Sequence, residues 1–158
     1  MKRHMLMAAG IALAATTLHA DEIAPTAVVA DEYGDIATSL TGVSGDPERG
    51  VEVMTNRGLG NCIACHQVTA LDEYPFHGEV GPSLDGTGAR WSEESLRGIV
   101  VNAKDVFPES VMPAFYRVDG FLRPGDGYTG RAATEIHTIL SAQQVEDVVA
   151  YLMTLTEY

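Results

Sequence analysis

The chain has few cysteines, few lysines and few aromatic residues. Of its 158 residues only two are cysteine, Cys62 and Cys65, so the disulfide framework that staples many small secreted domains is excluded. Lysine occurs twice, at Lys2 and Lys104. The formal net charge is −12; Lys2 and Arg3 contribute +2 of this, so the chain beyond residue 20 carries −14. Such a surface is a poor partner for nucleic acid or an anionic membrane. It suits docking on another protein. Beyond residue 20 no apolar run approaches the about 20 residues a membrane span needs.

The first 20 residues are of another kind. Met1-Lys2-Arg3-His4 is basic, the run from Met5 to Leu18 is apolar, and Ala20 is small. This is the pattern of a secretory signal peptide, with cleavage expected after Ala20 and the periplasm as destination. The remaining 138 residues suffice for one domain.

What the chain does have is Cys62-Ile63-Ala64-Cys65-His66. Two cysteines three residues apart, followed directly by histidine, form the attachment site of a c-type haem. Residues i and i+3 of a helical turn share a face, so both thiols reach the two vinyl groups of one porphyrin edge. The next residue then presents an imidazole to the iron. A four-ligand zinc site would need further Cys or His at suitable spacing nearby. A thioredoxin-like pair would follow a strand and lack the histidine. One covalently bound haem c is therefore expected, carried by Cys62 and Cys65, with His66 as an axial ligand.

The rest of the chain reads as helices and loops around that group. Residues 21–45 mix small, turn-forming and β-branched residues without helical periodicity, which suggests an extended arm with one helical turn around Tyr33–Leu40. The apolar stretch Ala27–Ala30 implies that the arm lies on the domain or on a partner. The domain itself, 46–158, opens at Asp46-Pro47-Glu48 with an N-cap aspartate, a first-turn proline and an acid. Ser92-Glu93-Glu94 caps a second helix with Leu96, Ile99, Val100 and Ala103 on one face. Ser141-Ala142-Gln143-Gln144 is a capping box for a last helix whose stripe is Val145, Val148, Val149, Leu152 and Leu155. Crossing the first helix with the last would close the domain. No internal repeat and no strand pattern is present, so the class is all-α with long loops.

Three loop residues are candidates for supporting the haem. A carbonyl behind the proximal imidazole would bind its Nδ1–H and set its orientation and basicity, and Pro82 in Gly81-Pro82-Ser83-Leu84 is placed to supply one. Arg90 would either pair with a haem propionate, because arginine forks onto carboxylates, or stay a solvated surface group. Trp91 would staple onto the helix that follows it or cover a propionate.

The second axial ligand decides between electron transfer and ligand chemistry. Met54, Met112, Met153, His77 and His137 are the candidates beyond residue 20. Met54 and Met153 fall on helical apolar spacing and read as packing. His77 lies in a loop near the proximal side, and His137 just before the last helix. Met112 differs, because it sits in Pro108-Glu109-Ser110-Val111-Met112-Pro113, a loop stiffened by proline. His/Met ligation would close the iron and favour outer-sphere electron transfer.

Taken together, four segments carry a resemblance to a known family. Gly60-Asn61-Cys62-Ile63-Ala64-Cys65-His66, Gly78–Leu84, Val111-Met112-Pro113-Ala114-Phe115-Tyr116 and Gln144–Leu152 resemble the SoxX-type cytochromes c. These are the small monohaem subunits of SoxAX, the L-cysteine S-thiosulfotransferase of bacterial thiosulfate oxidation. The resemblance runs from about Ser39 to the C-terminus, with Gly130–Leu140 longer than the family pattern. It implies a single class I-like cytochrome c domain, haem on Cys62 and Cys65, and ligation by His66 and Met112. It further implies a larger haem-bearing SoxA-type partner that couples thiosulfate to a cysteine of a SoxYZ-type carrier. This chain would pass the released electrons to a soluble cytochrome. With both cysteines bonded to haem, no free thiol here can carry sulfur. A stand-alone periplasmic electron shuttle and a haem enzyme or gas sensor with an exchangeable ligand are the other readings.

Overall fold

The computed structural model describes residues 21–157; the expected signal peptide lies outside them. Asp46 takes extended backbone (φ −111°, ψ 113°) and its carboxylate accepts from Glu48 N and Arg49 N. Helix α1 (Pro47–Thr55) follows with proline in its first turn. Helix α2 (Thr87–Arg90) is a single turn that the sequence did not announce. Ser92 caps α3 (Glu93–Val106) by accepting from Ser95 N. Ser141 opens α4 (Ala142–Thr154) with the full capping box, Ser141 accepting from Gln144 N and Gln144 accepting from Ser141 N. The chain is all-α, and its β pairing among the described residues is one isolated bridge between Gly125 and Ala132.

α1 crosses α4 at very short range. A Cβ on Gly50 would lie 2.2 Å from Asp147 O and 2.8 Å from Tyr151 Cβ, so only glycine lets the two backbones meet here. Around the crossing Val53, Met54, Val145, Val148, Val149 and Leu152 are buried with Leu96 and Val100 of α3. Each such side chain contributes about 1.5–3 kcal/mol of burial. Arg49 locks the crossing from the rim, with Nε 2.9 Å and Nη2 3.0 Å from the Asp147 carboxylate.

Residues 21–45 lie on the domain itself. Ile36 and Leu40 are core residues, at 3% and 0% exposure. A buried ion pair anchors them. Arg97 of α3 donates to both oxygens of Glu146 in α4, at 2.9 and 3.1 Å, and also to Glu93. Its remaining nitrogen reaches Ile36 O at 2.8 Å, while Glu146 accepts from Leu40 N at 2.7 Å. The start of the segment is held by Tyr116, whose hydroxyl lies 2.7 Å from Ile23 O and 3.1 Å from Glu22 Oε1. Burial, helped by Glu22, pushes that phenol up to about 12.

The helical turn expected around Tyr33–Leu40 is not there; the 3₁₀ turn of this segment is Pro25–Ala27 instead. The reason is local. Asp31 Oδ1 accepts from Tyr33 N and Asp35 N, a side-chain turn that competes with helix, and Gly34 follows at φ +88°.

Candidate haem site

Cys62–Ala64 form one 3₁₀ turn, after Asn61 in left-handed backbone (φ 46°). Cys65 N and His66 N both donate to Cys62 O, at 3.1 and 3.0 Å. In this tight turn i and i+3 eclipse, so the two cysteines share a side. They are not bonded to one another. Cys62 is half-buried and Cys65 exposed. Burial, with a smaller push from Cys65, raises the Cys62 thiol to about 12. A thiolate is therefore unfavourable at this sulfur, whereas a thioether carries no charge and suits it.

The loop from Gly78 to Leu84 is zipped along the motif. Gly78 N donates to Ile63 O at 2.8 Å, Gly81 N to Cys65 O at 2.8 Å and Leu84 N to Gln67 O at 2.9 Å. This register carries Pro82 O to 2.7 Å from His66 Nδ1. With Nδ1–H donating to a carbonyl, the imidazole is the tautomer whose Nε2 lone pair is free for a metal. The expected role of Pro82 thus has its geometry. Sequence reasoning missed its neighbour. A Cβ on Gly81 would come within 2.3 Å of His66 Cε1 and 2.6 Å of Nδ1, so the loop lies flat on the ring only because residue 81 is glycine. The signal was present in Gly81-Pro82 but read only as a turn.

Asp85 and Arg90 brace the same loop. Asp85 accepts from Thr69 Oγ1 at 2.6 Å and Thr69 N at 2.8 Å, and these bonds, the hydroxyl's first, hold its carboxyl below the usual range. Arg90 donates to Asp85 O at 2.7 Å, Thr87 Oγ1 at 3.2 Å and Ser83 O at 3.4 Å. The structure therefore places Arg90 on the loop that presents Pro82. His77 Nδ1 accepts from Val68 N at 3.2 Å, which fixes this histidine against the motif's far end.

Met112 is half-buried and packed on the core. Met54 is fully buried among core residues and Met153 packs beside them, as expected of filler. His137 is 80% exposed, 3.4 Å from Glu135. The Met112 loop is seated on α3 by Phe115 N to Val100 O (3.4 Å) and Tyr116 N to Val101 O (3.3 Å). Trp91 stands edge-on to Phe107 at the start of this loop, centroids 6.1 Å apart and rings at 86°.

The residues present fit a c-type haem: paired sulfurs on one side of a turn, a burial that favours neutral thioether at Cys62, and an imidazole with Nδ1 engaged. The cytochrome c family model matches residues 47–156. A chain in the crystal structure of SoxXA from P. pantotrophus is 56% identical, with a TM-score of 0.81, over 87% of this chain and 100% of that one. No curated protein sequence matches the chain. The chain belongs to the cytochrome c family, with haem bound at Cys62 and Cys65, and its role is electron transfer. Within that family it is a SoxX-type, monohaem cytochrome.

Proposed function

We propose that this chain is the electron-relay subunit of a periplasmic heterodimer with a larger, haem-bearing SoxA-type subunit. In this reading the larger subunit couples thiosulfate to a cysteine of a SoxYZ-type carrier. The two electrons released leave one at a time through the haem of this chain to a soluble cytochrome. The observation that carries the reading is the 56% identity to the whole of a chain in a SoxXA crystal structure. The haem supplies a one-electron iron couple; the chain's residues set its surroundings. His66 and Met112 are the axial ligands of this proposal, with Pro82 O holding the His66 proton.

Several features support a relay rather than a catalyst. Both cysteines are taken by haem, so no thiol remains to accept sulfur. His/Met ligation leaves no open position for substrate. Phe76, Val80 and Val111 are exposed at 78%, 70% and 80% on the loops that flank the two ligands. Exposed apolar groups around a redox centre suit a protein partner. Cleavage after Ala20 and passage to the periplasm complete the proposal.

The test is co-expression with a SoxA-type subunit and a SoxYZ-type carrier, followed by thiosulfate addition. Stable 1:1 co-purification and thiosulfate-dependent reduction of this chain's haem are expected. A cytochrome that elutes alone and is reduced only by small-molecule donors would instead be a stand-alone shuttle.

A further inference from the structure

α3 is not a continuous helix. Asn102 sits inside it with φ −156° and ψ 92°, fully non-helical. There is no proline or glycine at this position to cause the break. Asn102 is 2% exposed, and its Nδ2 donates to Asp105 Oδ1 at 2.7 Å, so the break is held by a side-chain bond. A straight helix of 14 residues would be about 21 Å long and would keep its flanking residues apart. Here Trp91 and Phe107, one at each end, pack at 6.1 Å between centroids. The last turn of α3 is therefore folded back toward its start.

Beside this fold-back, one loop is held by several contacts. The carbonyls of Val100 and Val101 face Phe115 N and Tyr116 N, just beyond Met112. The side chain of Lys104 points at the loop, with Nζ 2.9 Å from Met112 O. Met112 N in turn donates to Ser110 Oγ at 3.2 Å. Both peptide groups of Met112 are thus held, one of them by the only lysine beyond residue 20. In a chain this acidic, a lysine on a neutral carbonyl, with carboxylates available elsewhere, calls for an explanation.

We propose that Lys104, presented by the Asn102 kink, is a positioning residue that holds the Met112 backbone so that the thioether stays on the iron. This rests on Met112 being the axial ligand. Without the lysine the loop has fewer restraints, and the sulfur competes less well with an external ligand for the same position. A hydrogen bond from a charged donor is among the stronger ones, and exposure of Lys104 weakens it. The expected effect is therefore about a 3- to 10-fold change in ligand affinity.

The experiment titrates imidazole into the ferric holoprotein and follows the sulfur-to-iron charge-transfer band and the reduction potential. Lys104→Gln should bind imidazole about 3- to 10-fold more tightly, while Lys104→Arg, which keeps the donor, should stay near the native value. Met112→Ala separates the two readings. Should Met112→Ala match the native protein in band, potential and imidazole affinity, the ligand assignment fails. Should Met112→Ala lose the band while Lys104→Gln binds imidazole like native protein, Lys104 has no positioning role and the proposal is overturned. A Lys104→Gln protein that melts lower, with native imidazole affinity and potential, would likewise make Lys104 merely structural.

Discussion

Gly81→Ala probes the contact that holds the proximal imidazole. The added Cβ would sit 2.3 Å from His66 Cε1, 2.6 Å from Nδ1 and 2.8 Å from Nε2, where ordinary contact begins at 3.4 Å. Ring and loop must part by about 1.1 Å. The loop cannot yield freely, because it is bonded to the motif at Ile63, Cys65 and Gln67. The separation therefore falls on the 2.7 Å bond from His66 Nδ1 to Pro82 O, stretching it to about 3.8 Å, which is no longer a hydrogen bond.

Losing the group behind a ligating histidine typically costs about 10- to 100-fold in metal affinity, or ~1.4–2.8 kcal/mol. The sign of the redox effect follows from basicity. A carbonyl on Nδ1–H makes the imidazole a stronger donor, which favours ferric over ferrous iron. Removing it raises the potential. If about 1.4 kcal/mol of the loss is specific to the ferric state, the shift is about +59 mV for a one-electron couple. Potentiometric titration of the purified holoprotein reads this directly. An unchanged potential, with haem covalently in place, would refute the reasoning.

Arg97→Met leaves Glu146, which also holds Leu40 N, buried without its partner, and takes the donor from Ile36 O. A loss of about 3–5 kcal/mol is expected, a fall of about 10–20 °C in the melting temperature at this chain length, with faster proteolysis within residues 31–40. A loss under about 1 kcal/mol would show that the pair is dispensable. Acid should also destabilise the protein through Asp147. Burial alone would raise this carboxyl, but bonds from Arg49, Gln143 and Asp46 N leave it below the ordinary value. A depressed folded pKa gives stability that is present above the unfolded value, about pH 4, and lost as pH falls through the folded one. Melting temperatures measured from pH 7 to pH 3 should fall more gently for Asp147→Asn than for the native chain, and equal slopes would contradict this account.

The parts of the structure legible in the sequence were those encoded within a few residues. Asp46-Pro47, Ser92 and the Ser141–Gln144 box each state a helix start in adjacent letters, and all three stand where expected. The haem motif is equally local. Pro82 was legible because histidine ligands need an acceptor on Nδ1. What stayed hidden depends on meetings across the chain. Arg97 and Glu146 are 49 residues apart, and nothing beside either marks it as buried. Gly81 looked like turn punctuation, because its reason is the ring of a residue 15 positions earlier. The Asn102 kink has no Pro or Gly to announce it, and the fold-back it causes is visible only in three dimensions. The segment from Tyr33 to Leu40 failed as a helix because one aspartate, Asp31, captures two backbone donors.

The placement of Arg90 and Trp91 joins these findings. Arg90 was expected to pair with a haem propionate or stay solvated, and Trp91 to staple onto the helix that follows it or to cover a propionate; their contacts within the protein are these. Arg90 grips the carbonyls of Ser83 and Asp85 on the loop behind His66, and the adjacent Trp91 packs on Phe107, where the chain enters the loop carrying Met112. The loop behind His66 and the loop carrying Met112 therefore meet at consecutive residues, the last of α2 and the one before the cap of α3. An electron carrier needs its iron to change charge with little rearrangement of either ligand. With His66 and Met112 as the ligands proposed above, tying both loops to one short junction is a physical means to that end. Phe76, Val80 and Val111, the exposed positions proposed above to face a partner, lie outside this junction.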